Sequence, residues 1–350
     1  MYTSAILRKP RTLRRGDTLA VLSPSKGLPA LFPQVYEAGL ATLRELGFQI
    51  REYPSARMAF DEVYAHPELR AADINAAFAD PDIAGIVSSI GGDDSARILR
   101  HLDLPLIARN PKFFIGYSDF TSVSVALHLQ GLVTFNGPSV MAGFAQYRHF
   151  PPAYQAYLRD TLLAPSPRHV LPQFPDYANG YGDWSDPQHC CDLAGWRSDA
   201  GPRFLQGSGT HHGRLFGGCM EVLEMLKGTA WWPQADFWQG RILFLETSQE
   251  KPSLDYVKYW LRNYGVMGVF GQLAGLIVGR ARDYSGEEKA QLDQVIVQVV
   301  RGEFGCSNLP IVSNAGFGHT DPQLVLPLGI EFAIDCEQRQ LIQCESAFIL

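Results

Sequence analysis

Apolar segments alternate with helical segments over the first 140 residues, and this alternation limits the fold more than any other feature of the chain. Predicted strands lie at residues 18–23, 48–53, 83–90, 112–115 and 133–136. The segments between them repeat apolar residues at helical spacing, as Val35, Leu40 and Leu43 do. Strands that alternate with helices form a parallel sheet covered on both faces. We therefore predict an α/β fold that begins with a doubly wound parallel sheet of the Rossmann or flavodoxin type.

The second half of the chain has a mixed pattern. Predicted strands lie at residues 241–245, 275–280, 310–314, 324–328, 330–334 and 340–343. The last three are short and look antiparallel, which predicts a mixed α/β domain. We assign residues 1–163 to an N-terminal domain and residues 213–350 to a C-terminal domain. Residues 164–212 are rich in Pro, Gly, Asp and Trp without a period, which predicts a long connection facing the substrate.

Composition excludes several classes of protein. The 350 residues suffice for two domains, and 46% hydrophobic with 19% charged residues is typical of a globular protein. The net charge of −6 argues against a nucleic-acid partner, which needs a basic face. No apolar run reaches the ~18 residues of a membrane helix, and Met1–Pro10 lacks the apolar core of a signal peptide. We expect a cytoplasmic protein without a membrane partner.

Cysteine and histidine spacing predicts neither disulfides nor a metal site. Six cysteines occur without a C-x-x-C pair, which is typical of reduced thiols in a chain of this length. His189-Cys190-Cys191 and His211-His212 do not have the spacing of a zinc site. We expect no metal and no cofactor.

The stretch Phe113–Thr121 predicts a strand, a sharp turn and a helix, with Ser118 at the corner. A nucleophile elbow has this form, and the helix N-terminus behind it favours a developing anion. The match is imperfect, because the usual second glycine is replaced by Phe120. The alternative is that Ser118 only caps the helix, which is a common role of serine.

A glycine pair follows the third predicted strand. Gly91-Gly92 precedes Asp93-Asp94-Ser95 and a helix start. This order lets the backbone approach a ligand closely. An ordinary strand-to-helix turn would use the same glycines, so both interpretations stay open on this pattern alone.

Two further residues complete a possible set for acyl transfer. Glu246 directly follows the apolar strand 241–245, and His319 lies in the glycine-rich loop after strand 310–314. Acyl transfer needs a nucleophile, a base that takes its proton and a carboxylate that orients the base. Ser118, His319 and Glu246 are residues of these types, although the sequence alone does not show that they meet.

Several motifs resemble one known family, the LD-carboxypeptidase family of serine peptidases, over roughly residues 13–335. In chain order they are Gly91–Arg97, Ile115–Asp119, Gly217-Gly218, Phe244–Thr247, Gly279-Arg280 and Gly316–His319. The resemblance implies that Ser118 is the nucleophile, His319 the general base and Glu246 its orienting acid. It implies an oxyanion hole made of the N–H groups of Asp119, Gly91 and Gly92. Cys219 is a departure, since many members have asparagine there, and its role stays open.

Within that family the segment Leu245–Ser253 resembles the microcin C self-immunity, or MccF-like, branch. This resemblance implies hydrolysis of an amide in a peptidyl- or aminoacyl-nucleotide. We also expect the chain to form a homodimer. We expect Trp184, Tyr117 and Asp93 to contact the substrate, with Trp184 stacking on the base or, alternatively, anchoring its loop. A second possible function is removal of the terminal D-Ala from murein tetrapeptide. A non-catalytic nucleotide- or sugar-binding module is the alternative of another class.

Overall fold

The computed structural model describes residues 7–349. Residues 1–6, which belong to the stretch examined for a signal peptide and to the predicted first domain, lie outside the described residues, as does Leu350. The strands are β1 (Thr18–Leu22), β2 (Gln49–Glu52), β3 (Ile83–Ser88), β4 (Phe113–Gly116), β5 (Phe135–Asn136), β6 (His169–Val170), β7 (Asp176–Tyr177), β8 (Gly180–Tyr181), β9 (Leu193–Ala194), β10 (Arg197–Ser198), β11 (Arg203–Gln206), β12 (Thr210–Cys219), β13 (Arg241–Glu246), β14 (Gly275–Gly279), β15 (Ile311–Ala315), β16 (Leu326–Pro327), β17 (Glu331–Asp335) and β18 (Gln340–Gln343).

The helices fall mostly between the strands, as the alternation predicts. The α-helices are α1 (Leu28–Leu31), α2 (Pro33–Glu45), α3 (Phe60–Ala65), α4 (Pro67–Ala79), α5 (Leu104–Arg109), α6 (Thr121–Leu129), α7 (Pro152–Leu163), α8 (Met220–Leu226), α9 (Leu254–Val266) and α10 (Gly286–Val297). Short 3₁₀-helices occur at Pro54–Ala56, Ser95–His101, Ser118–Phe120, Tyr147–His149 and Ala235–Trp238, and a π-helix extends α10 over Gln298–Glu303. The N-terminus of α10 has a capping box, in which the Ser285 hydroxyl accepts from the Glu288 N–H and the Glu288 carboxylate accepts from the Ser285 N–H.

The first sheet is the predicted doubly wound parallel sheet. It has six strands, of which β16 pairs antiparallel with β5 at one edge. The other five strands are parallel to one another, in the order β2-β1-β3-β4-β5. This order is that of flavodoxin-like folds. β3 and β4 are buried along their whole length, as expected for strands with helices on both faces. The alternation of strands and helices therefore predicted this sheet correctly.

The second sheet combines parallel and antiparallel strands, which confirms the predicted mixed class. β12, β13, β14 and β15 are parallel, and β11, β17, β18 and β6 add to them antiparallel. The predicted strand at 324–328 is shorter in the structure and does not belong to the second sheet. Only Leu326–Pro327 is a strand, and it pairs with β5 of the first sheet.

The connection between residues 164 and 212 contains more regular structure than its composition predicts. β7 pairs with β10 and β8 pairs with β9, each over two residues. Pairs this short have no sequence period to detect. The division into domains at residues 163 and 213 stays a prediction. Over residues 7–349, no helix has both the length and the apolar character needed to cross a bilayer.

Candidate active site

The candidate site lies at the carboxyl ends of the parallel strands in the first sheet. The turn after β1, the glycine pair after β3 and the corner after β4 meet there. β1 and β3 are neighbours from which the chain winds in opposite directions, and ligands of open α/β sheets bind at such a point. The ends of β12 and β13 and the loop after β15 supply the opposite side of the cavity.

Ser118 lies at the sharp corner between β4 and α6. Its φ angle is +61°, a left-handed conformation that is uncommon for a residue with a side chain. Its side chain does not cap α6, whose N-cap residue is Phe120. Instead its Oγ lies 3.0 Å from Nε2 of His319. The corner therefore presents the hydroxyl to the cavity rather than to the helix.

The side chain of Asp119 connects the turns that surround Ser118. Its carboxylate is fully buried and accepts hydrogen bonds from the Ser25 hydroxyl and from the N–H groups of Asp94 (3.0 Å) and Ser95 (2.8 Å). Burial raises the pKa of this carboxyl, while the bond from Ser25 and those from Ser95 lower it. Asp119 thus joins the turns after β1 and β3 to the corner after β4. Sequence reasoning missed this side-chain function, because Ser25 lies 94 residues away.

The glycine pair lies directly against Ser118. A Cβ atom on Gly91 would lie 3.0 Å from Ser118 Cβ, 3.2 Å from its Oγ and 3.5 Å from the Asp119 nitrogen. A Cβ on Gly92 would clash with the Ser25 hydroxyl at 2.1 Å. The missing side chain of Gly91 therefore lets the backbone approach Ser118, and that of Gly92 lets it approach the turn that carries Ser25.

His319 connects Ser118 to Glu246. Its Nδ1 lies 2.6 Å from Glu246 Oε2, and both side chains are buried. Burial raises the pKa of the Glu246 carboxyl, and the charge and hydrogen bond of His319 lower it. A carboxylate on Nδ1 leaves Nε2 as the atom that can accept a proton from Ser118. The structure thus brings together the three residues that the sequence separates by up to 201 positions.

Cys219 is the residue of β12 that pairs with Glu246 in β13. Its N–H donates to the Thr121 hydroxyl at 3.0 Å, and its thiol donates to Glu221 at 3.3 Å. Burial, together with the carboxylates of Glu246 and Glu221, raises the pKa of the thiol well above its usual range. Cys219 is therefore held as a neutral thiol in the cavity wall, a form in which cysteine is a poor nucleophile.

The cavity has a volume of about 480 Å³, and all three residues that we expect to contact the substrate line it. Tyr117 is buried, and its ring packs edge-on against His319 with 5.0 Å between centroids. Asp93 is exposed and forms an ion pair with Lys26 at 2.9 Å. Trp184 is half-buried, whereas Trp196 of the same connection is exposed and does not line the cavity.

Trp184 belongs to an aromatic group that the sequence does not predict. Its ring lies 5.7 Å from that of Phe32, edge-on, and 5.9 Å from that of Tyr181. Tyr181 and Arg282 also line the cavity. No local pattern distinguishes Phe32 or Tyr181 from other loop aromatics, so only the folded chain identifies them.

The cysteine and histidine pairs lie outside this cavity. The sulfur atoms of Cys190 and Cys191 are 3.8 Å apart, and both residues are free thiols. His211 bonds the Ser208 carbonyl, and His212 lies 3.3 Å from Glu331. Within the part of the chain that the structure describes, no three His, Cys, Asp or Glu side chains cluster in a way that could hold a metal ion.

Comparison with known proteins identifies both halves of the chain. Residues 19–137 match the LD-carboxypeptidase N-terminal domain, and residues 212–334 match the LD-carboxypeptidase C-terminal domain. A putative carboxypeptidase of Vibrio cholerae is 28% identical over 93% of this chain and 94% of its own. The microcin C7 self-immunity protein MccF of Escherichia coli is 26% identical over 93% and 92%. A probable murein peptide carboxypeptidase of Bacillus subtilis is 24% identical over 95% and 93%.

A solved structure of one of these relatives also has a fold similar to that of this chain. The structure of MccF in complex with glutamyl sulfamoyl guanosine has a TM-score of 0.85 and 26% identity, covering 97% of this chain and 99% of that one. The similarity extends over both sheets, since the match spans nearly the whole chain.

Proposed function

Because the chain belongs to the LD-carboxypeptidase family, and is thus a hydrolase of the serine carboxypeptidase type, we propose that Ser118, His319 and Glu246 carry its chemistry. Ser118 is the nucleophile, His319 the general base and Glu246 the acid that orients the base. The observation that carries this proposal is the unbroken series of hydrogen bonds from Ser118 Oγ through both ring nitrogens of His319 to Glu246. A non-catalytic binding module has no use for such a series.

The reaction follows from these contacts. As the Ser118 oxygen attacks the amide carbonyl, Nε2 of His319 takes the hydroxyl proton, and the buried Glu246 carboxylate stabilises the imidazolium that forms. His319 then gives this proton to the departing amine, and the C–N bond breaks to leave an acyl-enzyme. A water molecule, deprotonated by His319, attacks the ester, and its cleavage restores the Ser118 hydroxyl.

The negative charge on the carbonyl oxygen needs donors close to Ser118. We propose the N–H groups of Asp119 and of the Gly91-Gly92 turn for this role. The position of Gly91 supports it, since a Cβ atom added there would lie 3.2 Å from Ser118 Oγ and 3.5 Å from the Asp119 nitrogen. Such donors act mainly in the transition state, where the charge develops.

We further propose that the substrate is a peptidyl- or aminoacyl-nucleotide of the microcin C type. The similarity to MccF over both sheets supports this, since MccF has been crystallised with a sulfamoyl guanosine compound. The rings of Trp184 and Tyr181, which line the cavity, support it as well, because aromatic rings stack on nucleobases.

Removal of the terminal D-Ala from murein tetrapeptide is the second candidate. The similarity to the probable murein peptide carboxypeptidase favours it. The two functions separate in one assay, in which the purified enzyme is offered murein tetrapeptide and aminoacyl-sulfamoyl adenosine in parallel. Faster hydrolysis of the sulfamoyl compound supports the MccF-like function, and faster release of D-Ala overturns it in favour of the second.

The assembly and location of the enzyme are also proposals. We propose a homodimer in the cytoplasm. Sedimentation equilibrium of the purified chain tests the first, with a mass of one chain, 38.8 kDa, as the contrary result. Fractionation of cells that express the tagged chain tests the second.

A further inference from the structure

The connection that carries Trp184 is attached to the segment that carries His319. Ala178 and Asp321 exchange two backbone hydrogen bonds, of 2.6 and 3.1 Å. The Tyr181 hydroxyl donates to Asp321 Oδ2 at 2.5 Å. Asp321 is two residues after His319, so these contacts lie next to the proposed base.

A second contact leads from Tyr181 toward Ser118. Because the Tyr181 hydroxyl donates to Asp321, its oxygen can accept from the Tyr117 hydroxyl, which is 3.4 Å away. Tyr117 directly precedes Ser118, and its ring packs edge-on against the His319 ring. Tyr181 therefore contacts the neighbours of both the proposed nucleophile and the proposed base.

Asp321 is a carboxylate in an environment that does not suit an isolated charge. It is 2% exposed, and its side chain bonds only Tyr181 and, at 3.4 Å, Gln323 among the described residues. The charged or titratable groups that act on it are Tyr117, Tyr154, Tyr181, Arg282 and His319. Burial raises its pKa, and the bond from Tyr181 lowers it.

The loss of the Tyr181 hydroxyl would leave this buried carboxyl without its short hydrogen bond. An unsatisfied buried acceptor is costly, so the Asp321 segment would shift to find another partner. Because His319 lies on the same segment, the shift would move the base relative to Ser118.

We propose that Tyr181 and Asp321 are positioning residues of the active site, which keep the Tyr117 ring against His319 and fix the distance from His319 to Ser118. This inference rests on the proposed roles of Ser118 and His319. It makes the connection between the two halves a supporting part of the active site as well as a wall of the cavity.

A fluorophosphonate probe tests this without a known substrate, since the Ser118 oxygen displaces fluoride from phosphorus at a rate that depends on His319. Tyr181→Phe removes one oxygen and keeps the ring beside Trp184. We expect Tyr181→Phe to lower the rate constant of labelling by about 10- to 100-fold, because small misplacements of catalytic groups have effects of this size.

Tyr177→Phe is the matched control. Tyr177 is a buried tyrosine of the same connection, and its hydroxyl accepts from Lys289 Nζ at 2.7 Å. Among the described residues its side chain forms no hydrogen bond with Asp321 or Tyr117. The loss of the Tyr177 hydroxyl should lower the melting temperature of the protein without slowing probe labelling by more than about twofold. Equal slowing in both variants would mean a merely structural effect and would overturn the proposal.

Asp321→Asn and Asp321→Ala complete the test. Asparagine can still accept from Tyr181, so Asp321→Asn should be labelled at least about threefold faster than Asp321→Ala. Equal rates for these two variants, or a parental rate for Tyr181→Phe, would refute the positioning role while Ser118 labelling in the parent protein persists. If the parent protein is not labelled at Ser118 at all, the proposed function itself is wrong.

Discussion

A Cβ atom on Gly318 would lie 2.9 Å from Oε2 of Glu246, the oxygen that bonds His319. The loop that carries His319 thus approaches the carboxylate at a position where a side chain does not fit. Gly318 also has a φ of +100°, which glycine adopts without strain. The close approach to Glu246 and the positive φ therefore explain why a glycine precedes His319 in the sequence.

We predict that Gly318→Ala lowers kcat/KM by about 100-fold, because it displaces Glu246 or His319 from the bonded arrangement. Gly268→Ala is the control: Gly268 also has a positive φ, +71°, but an added Cβ would meet no atom within 4 Å. Both substitutions strain the backbone, and Gly318→Ala adds the contacts with Glu246. A similar loss of activity in both would show that strain, and not the contact with Glu246, is responsible.

Ser118→Ala should abolish hydrolysis, with a loss of order 10⁶ in kcat. Alanine has the same Cβ as serine, so the backbone at φ +61° is no more strained than in the parent protein. We expect an unchanged melting temperature and circular dichroism spectrum. Turnover near the parental value in a pure preparation would exclude Ser118 as the nucleophile.

His319→Ala and Glu246→Gln should differ in severity. The base takes part in every proton transfer, whereas the acid orients it, and the orienting acid usually contributes less. We predict a loss close to that of Ser118→Ala for His319→Ala and a loss at least about tenfold smaller for Glu246→Gln. Steady-state kinetics on one preparation series measures this, and the reverse ranking would contradict the assigned roles.

Trp184→Ala should affect substrates selectively. Stacking of a base on an aromatic ring contributes roughly 1–3 kcal/mol, which corresponds to a rise in KM of about 5- to 150-fold for an adenylate substrate with a smaller change in kcat. Hydrolysis of murein tetrapeptide, which has no base, should hardly change. Trp184→Phe should restore part of the affinity. Equal losses on both substrates would instead favour the anchoring role that the contacts with Phe32 and Tyr181 allow.

His128 should make the protein less stable in acid. Burial lowers its pKa to about 3, and its Nδ1 bonds the Leu132 carbonyl at 3.0 Å. In the unfolded chain a histidine titrates near ~6.5. Between these values the unfolded state binds a proton that the folded state does not, so the free energy of unfolding falls as the pH drops from about 6.5 toward 3.

The slope of this contribution approaches about 1.4 kcal/mol per pH unit within that range and vanishes above it. His128→Gln should show a correspondingly flatter dependence of unfolding free energy on pH, measured by urea denaturation between pH 7 and 4.5. The exposed His101 provides the control variant, His101→Gln. Parallel curves for the parent protein and His128→Gln would be inconsistent with a neutral buried imidazole.

Structural elements that depend only on residues close together in the chain could be predicted from the amino-acid sequence alone. Apolar periodicity was sufficient for the first sheet, and the strand-turn-helix pattern around Ser118 was sufficient for the corner. The pairing of Leu326–Pro327 with β5 of the first sheet could not be predicted, because β5 lies nearly 200 positions earlier in the sequence and pairing leaves no local mark. The residue types at Glu246 and His319 suggested acyl transfer without showing proximity.

The amino-acid sequence by itself determined the parallel strands of the first sheet, most of the helices between them and the corner at Ser118, since these follow from backbone preferences and apolar spacing over a few residues. Only the tertiary structure decided that Ser118, His319 and Glu246 form one hydrogen-bonded series, and that Asp119 and Asp321 are buried beside it. Such contacts join residues 70 to 200 positions apart, and they depend on how the two sheets pack. The packing is a property of the whole core, which no local segment encodes.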